Sequence, residues 1–245
     1  MTLKLSDLYS CASNNTYGQC CMIWHELHKV QKSIIEKHVM PFVNEKLTVM
    51  GNDVIKYALG DIYRSDFDEA IDQEALLNDV CTPWVVFNWV PMENLGLFNF
   101  NPIRTIVENY QIINKNKLHW KEKWLIQQIE QSYYSFYRVS EIDQLLRLHD
   151  ILLDMTHAIN KQQLSCNKGD IIFGCIVKIQ EHSILMSSSL FLIPPEYYYH
   201  ILDFKRELES IDSLSLTPCA LRDAYSMLLI GYFLEIINEP ITVLD

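Results

Sequence analysis

Apolar residues along this chain recur first at helical spacing and later in short alternating runs, and the change falls near Tyr137. Over 19–46, Ile23, Leu27, Val30 and Ile34 follow at intervals of four, three and four, one stripe of an amphipathic helix. Pro41 is predicted to kink or divide that helix, because proline lacks a donor and its ring crowds the preceding turn. A further helix is expected over 52–59. The run from Thr82 to Pro91 holds two tryptophans and a phenylalanine without a charge. It must be buried, and periodicity alone does not decide whether it is strand or helical turn. Pro102 is placed as a first-turn residue of a helix ending at Ile113. A longer helix is predicted over 120–136, with Leu125, Ile129, Tyr133 and Phe136 facing inward.

Beyond that point the segments 137–142, 146–153, 170–179 and 184–193 are short, rich in Ile, Val and Leu, and separated by turn signals. Asn167-Lys168-Gly169-Asp170 is the clearest turn, with Gly169 expected at positive φ. Pro194-Pro195 opens a helix to about Ser210, and Thr217-Pro218 gives the cap and first turn of a last helix to about Ile237. That last helix is apolar nearly all round, so either the core or another subunit must wrap it; a homo- or hetero-oligomer built through 218–237 follows from the second case. The expected fold is α+β, predominantly helical, with a small antiparallel sheet or partly closed barrel in the C-terminal half. The expected organisation is a loosely held arm (1–18), a helical domain (19–136), a β-region (137–193) and C-terminal helices packing on the core (194–245).

Charge and cysteine content narrow the function. A net charge of −11 opposes general binding to nucleic acid or to an anionic membrane surface. Asp61, Asp66, Asp68, Glu69, Asp72, Glu74 and Asp79 cluster with Arg64 as the one cation among them. The cluster reads as a solvated face or as a docking surface for a basic protein partner. The seven cysteines are odd in number and scattered, and the longest apolar stretch, 224–234, falls short of the roughly 20 residues that span a bilayer. A soluble protein of a reducing cytoplasm is expected.

Four places carry candidate chemistry. Cys21, His25 and His28 stand at i, i+4 and i+7, one helix face, which suits three zinc ligands or simply a polar flank. Their two histidines are three apart, one short of the spacing of the zinc-protease motif. Lys115, Lys117, Lys121 and Lys123 accompany Trp120 and Trp124. Such a mixture binds single-stranded nucleic acid, or it is a solvated helix face with its aromatics turned inward. Tyr197, Tyr198 and Tyr199, consecutive on a helix, must point several ways, leaving at least one ring for a contact surface. His149-Asp150 has the residue types of a metal-dependent phosphohydrolase pair, but it sits in an expected strand. Phosphate loops, dinucleotide fingerprints and nucleophile elbows do not occur.

The order of three motifs resembles a known family. Phe87-Asn88-Trp89, the run Ser132-Tyr133-Tyr134-Ser135-Phe136-Tyr137-Arg138-Val139, and Gly169-Asp170-Ile171-Ile172-Phe173-Gly174-Cys175-Ile176-Val177 are similar to poorly characterised bacterial SEC-C-associated proteins. The resemblance covers roughly Trp84 to Leu208. It implies a helical region and a small β-region that often precede a zinc-binding SEC-C tail. Two departures limit what transfers: Asn88 stands where the family usually has aspartate, and Cys219 is the one cysteine after Pro195, so the zinc tail and its contacts do not carry over. The resulting expectation is a non-enzymatic adaptor subunit of a bacterial cytoplasmic complex, with a secretion-system coupling component as one concrete form. A metal-dependent protein using Cys21, His25 and His28, and a nucleic-acid-binding protein, are the alternatives.

Overall fold

Two prolines and one buried carboxylate shape the chain. A computed structural model describes residues 22–46, 54–60, 73–91, 104–143, 145–160, 164–179, 182–188, 192–211 and 216–238. The arm predicted over 1–18 and Pro102 itself fall outside these residues, but the helix that Pro102 is predicted to open begins only at Ile106, on a Thr105 cap, so Pro102 is not in its first turn. No helix among those described is long and apolar enough to cross a membrane.

The first helix, α1 (Met22–Ser33), opens into a π turn (Ile34–Val39) and continues as α2 (Met40–Lys46). Pro41 has no N–H for the carbonyl four residues back, so the turn before it widens, and the Met40 N–H bonds Ile35 O instead. The helix is therefore continued through the proline rather than divided. The same device recurs after α3 (Val54–Leu59): α4 (Gln73–Leu76) passes into a π turn (Leu77–Cys81) and then α5 (Thr82–Phe87), with Pro83 just beyond the widened turn. The aromatic run is thus helical at its start. Trp84 is fully buried, and its indole N–H donates to Ser226 Oγ at 2.8 Å.

Helix α6 (Ile106–Ile113) starts on a reciprocal cap, in which Glu108 N–H bonds Thr105 Oγ1 while Thr105 N–H bonds the Glu108 carboxylate. Helix α7 (Trp120–Ile129) starts the same way on His119 and Glu122. It ends earlier than the pattern predicts. Ser132 turns back to cap Ile129 O at 2.6 Å, and the chain from Tyr134 onward is strand. Helical spacing misreads this stretch because Tyr133, Tyr134, Phe136 and Tyr137 are all buried, on both faces of a sheet.

Five antiparallel strands follow: β1 (Tyr134–Ile142), β2 (Leu145–Asp150), β3 (Met155–Asn160), β4 (Ile171–Ile179) and β5 (His182–Ser188), in the order β3-β2-β1-β4-β5. The sheet is open, but it curls until its edges β3 and β5 approach without pairing. Tyr137, Val139, Leu146, Leu148, Ile159, Ile172, Ile176 and Leu185 fill the concave side. The convex side carries Phe136, Phe173, Cys175, Val177 and Met186 against the helices. The architecture is α+β with an antiparallel sheet in the C-terminal half, as the alternation predicts. Strand β3 goes unpredicted because as a half-exposed edge it shows little alternation of apolar and polar residues.

After a 3-10 turn (Pro195–Tyr197) come α8 (Tyr198–Ile211), α9 (Pro218–Asp223) and α10 (Ser226–Asn238), so the single last helix predicted from Thr217-Pro218 to Ile237 is broken at Ala224-Tyr225. Helix α10 is wrapped by its own chain. Phe233 stacks on Phe173 at 4.4 Å, and Tyr232 stacks on Phe204 at 4.0 Å while meeting Phe136 edge-on. This internal packing covers most of its apolar girth and leaves Leu228 exposed.

Asp150, fully buried at the end of β2, closes the turn into β3. Its Oδ1 accepts Ser135 Oγ at 2.7 Å and the N–H groups of Leu152 and Leu153, and its Oδ2 accepts Tyr133 OH at 3.0 Å. Burial raises its pKa, and these four donors pull it part of the way back. At the turn's end Asp154 takes φ 57°, a left-handed position that aspartate tolerates. Gly169 takes φ 100° in the predicted turn before β4, with its N–H bonded to Val139 O. Asp150→Ala, which leaves buried donors unpaired, is expected to lower stability by about 3–5 kcal/mol, and Asp150→Asn by about 1–2 kcal/mol. Urea melts followed by circular dichroism check the order of the three proteins.

Candidate functional site

The widened turn at Leu77–Cys81 does more than admit a proline. Asp79 O is the carbonyl four residues before Pro83, which has no N–H to offer it, and Ser187 Oγ of β5 donates to it at 2.6 Å. Tyr134 OH donates in turn to Ser187 Oγ at 2.8 Å. This chain of hydroxyls fixes α4–α5 against the sheet and forms one wall of a trough of about 950 Å³.

The opposite wall is α1 with its π turn. Trp24, His25, His28, Lys29, Lys32 and Glu36 face Asn78, Asp79 and Thr82 across the trough, with Leu185, Met186 and Ser187 along its floor. His28 Nε2 lies 3.1 Å from Leu185 O, which assigns the proton to Nε2 and ties α1 to the edge strand. Burial lowers the His28 pKa, the Leu185 bond opposes that, and neighbouring His25 adds to it. Trp24 meets the rings of both histidines edge-on, at 4.6 and 4.8 Å. Its indole nitrogen is buried without a hydrogen-bond partner.

The sequence-predicted zinc set is only partly visible here. His25 and His28 share the trough, and Cys21 lies outside the described residues. His28 gives its Nε2 to the backbone, so a metal would have to take Nδ1 or break that bond. Among the described residues no three His, Cys, Asp or Glu side chains converge as metal ligands.

The other predicted residues are separated. Asp61, Asp66, Asp68, Glu69 and Asp72 lie outside the described residues, and Glu74 is exposed on α4. Of the three tyrosines, Tyr197 is buried, Tyr198 lies under the Arg138 guanidinium at 4.6 Å, and Tyr199 is 73% exposed. The lysine segment departs from the inward-turned reading. Trp120 is 66% and Trp124 37% exposed, because the buried stripe of α7 is Glu122, Leu125, Ile126 and Ile129, on the opposite side.

Three groupings were not anticipated. Glu122, nearly buried, accepts Ser33 Oγ at 3.0 Å and lies 3.2 Å from His38 Nε2, while His38 Nδ1 lies 3.1 Å from Tyr110 OH. This carboxylate–imidazole–phenol chain links the first π turn, α6 and α7 and ends on the buried Tyr110 phenol. The Glu130 carboxyl is pushed up to about 7, chiefly by burial and then by Glu108, against the pull of Arg222 and Arg104. Ser132 and Cys175 meet at 3.0 Å inside the core. The spacing Thr105-x-x-Glu108 was a legible capping signal. The remaining contacts join residues tens of positions apart and leave no local mark.

Comparison with protein families, with characterised proteins and with solved structures returned no match.

Two outcomes follow from this geometry. The His28 pKa is lowered in the folded state, so its stabilising contribution is complete above the ordinary value of 6.5 and is lost as pH falls through and below it. Thermal melts at pH 7.5 and pH 5 are therefore expected to show a larger acid loss in the native chain than in His28→Gln. Burial pushes the Cys81 and Cys175 thiols up to about 12, whereas Cys219 is exposed. Alkylation at neutral pH is expected to label Cys219 promptly and to spare Cys81 and Cys175 until denaturant is added, as read by peptide mass mapping.

Proposed function

We propose that this chain is a non-enzymatic adaptor that holds a protein partner in the trough between α1 and α4–α5. One observation carries the reading. The trough is open and lined by groups of both signs, Lys29 and Lys32 on one rim, Glu36 and Asp79 beside and opposite. The ionisable groups that are deeply buried, Asp150, Glu122, Cys81 and Cys175, sit elsewhere in packing or structural bonds. A mixed-charge trough with one fixed histidine suits a polypeptide segment better than a small molecule undergoing chemistry.

The resemblance to SEC-C-associated proteins supports a bacterial cytoplasmic complex as the setting, with a secretion-coupling role as one form of it. The acidic composition of the run from Asp61 to Glu74 suits a basic partner, and Tyr199 adds an exposed ring on α8.

The test places a photo-crosslinking amino acid at Lys32 on the trough rim and, as control, at Leu145 on the outer side of β2. In native cells the Lys32 position is expected to give a discrete protein adduct that the Leu145 position does not. Reversing the rim charges with Lys29→Glu and Lys32→Glu is expected to reduce an adduct formed from a third rim position, Glu36, at least fivefold. Adducts of equal yield at Lys32 and Leu145, or turnover of a small molecule abolished by His25→Ala, would overturn the reading.

A further inference from the structure

We propose that the solvent face of α7 binds single-stranded nucleic acid, with Trp120 and Trp124 as stacking platforms and Lys117, Lys121 and Lys123 as phosphate contacts. The inference is independent of the trough and of any protein held there.

Folding leaves one side of α7 unused. Its buried stripe is Glu122, Leu125, Ile126 and Ile129. At 3.6 residues per turn the opposite side presents Trp120, Trp124 and Gln127, four and three residues apart, with Lys121 and Lys123 on either flank. An outward helix face is ordinarily charged or polar. Here it carries the most exposed tryptophan described, Trp120 at 66%, with Trp124 one turn away at 37%. Two exposed indoles one turn apart make an apolar patch on an otherwise polar face, the kind of feature that marks a contact site.

Charge then selects the class of ligand. The chain carries −11, yet Lys115, Lys117, Lys121 and Lys123 are all exposed within nine residues. The one carboxylate in that segment is Glu122, and it is turned inward to Ser33, His38 and the His119 N–H. The fold thus removes the acid from the surface and leaves the cations there. Lys121 already lies 5.8 Å from the Trp120 ring. Beside this face is a depression of about 310 Å³ lined by Gln111, Lys115, Leu118, Lys123 and Gln127, whose amides can meet base edges and whose ammonium groups can meet phosphates. An acidic peptide would satisfy the lysines and leave both indole faces without a partner. A strand of unpaired bases satisfies both, since every base has a flat face and every linkage a charge. Duplex ends offer few such faces, which sets single strands apart.

The test is fluorescence anisotropy of an end-labelled oligo-uridylate or oligo-thymidylate with the full chain at about 50 mM and about 200 mM salt. The expected dissociation constant at the lower salt is on the order of micromolar, because the overall negative charge works against the local patch. Trp120→Ala and Trp124→Ala are each expected to weaken binding by roughly 5–100-fold, the range of one lost base–aromatic stack. Lys117→Glu with Lys121→Glu is expected to weaken it at least tenfold and to flatten the salt dependence. These side chains are exposed, so unchanged circular dichroism is expected to accompany each loss. Failure to bind at about 100 µM protein in low salt overturns the proposal, as does affinity unchanged by either tryptophan substitution. Equal competition by poly-glutamate of matched charge, or by a blunt duplex of the same length, overturns it too. Crosslinking at the trough is expected to be unaffected by the α7 substitutions, so the two readings fail separately.

Discussion

Asp150 is shut away from water and yet carries four hydrogen bonds, and the sheet is assembled around it. A carboxylate in that position is costly unless every acceptor site is filled. The donors that fill it come from the residue before β1, from β1 itself and from the turn into β3. One side chain therefore fixes where β1 begins, how β1 and β2 register, and how the chain reverses. Tyr137 pairs with Asp150 across the two strands and begins the concave core that Val139, Leu148 and Ile172 continue. Without this anchor the curl that brings β3 toward β5 has no fixed origin.

The helical half is attached by the same logic applied to backbone. Each proline in the widened turns deprives a carbonyl of its helical donor, and a buried carbonyl does not stay unpaired cheaply. At Pro83 the vacancy is filled from the sheet, by Ser187 and behind it Tyr134. A local defect in a helix becomes the joint between two layers. The aromatic stack of Phe173 on Phe233 closes the molecule from the other side. These joints are polar at the trough and apolar beneath α10, which is why the trough remains a surface feature while α10 belongs to the core.

The functional readings rest on what folding leaves over. Buried ionisable groups act as struts: Glu122 joins α1, its π turn and α7, and Cys175 packs against Ser132. The groups left outside are of a different kind, an indole pair among lysines and a trough with both charges on its rims. That division separates the interior, which specifies shape, from two faces on which other macromolecules can be held.

Periodicity and turn chemistry determined the class of fold. The alternation after Tyr137, the positive φ at Gly169, the Thr217-Pro218 cap and the burial of Trp84 are all local consequences of residue type, and each is met in the structure. Tertiary structure alone decided the rest. Whether α10 met its own core or a second subunit depended on Phe173, Phe136 and Phe204, which no spacing within 226–238 reveals. Trp120 and Trp124 turned outward because Glu122 found Ser33 and His38 some ninety residues upstream, and that bond selected the face of α7 that went inside. A helix written with apolar residues on both sides has two faces it can bury. Only the partners waiting in the rest of the fold choose between them.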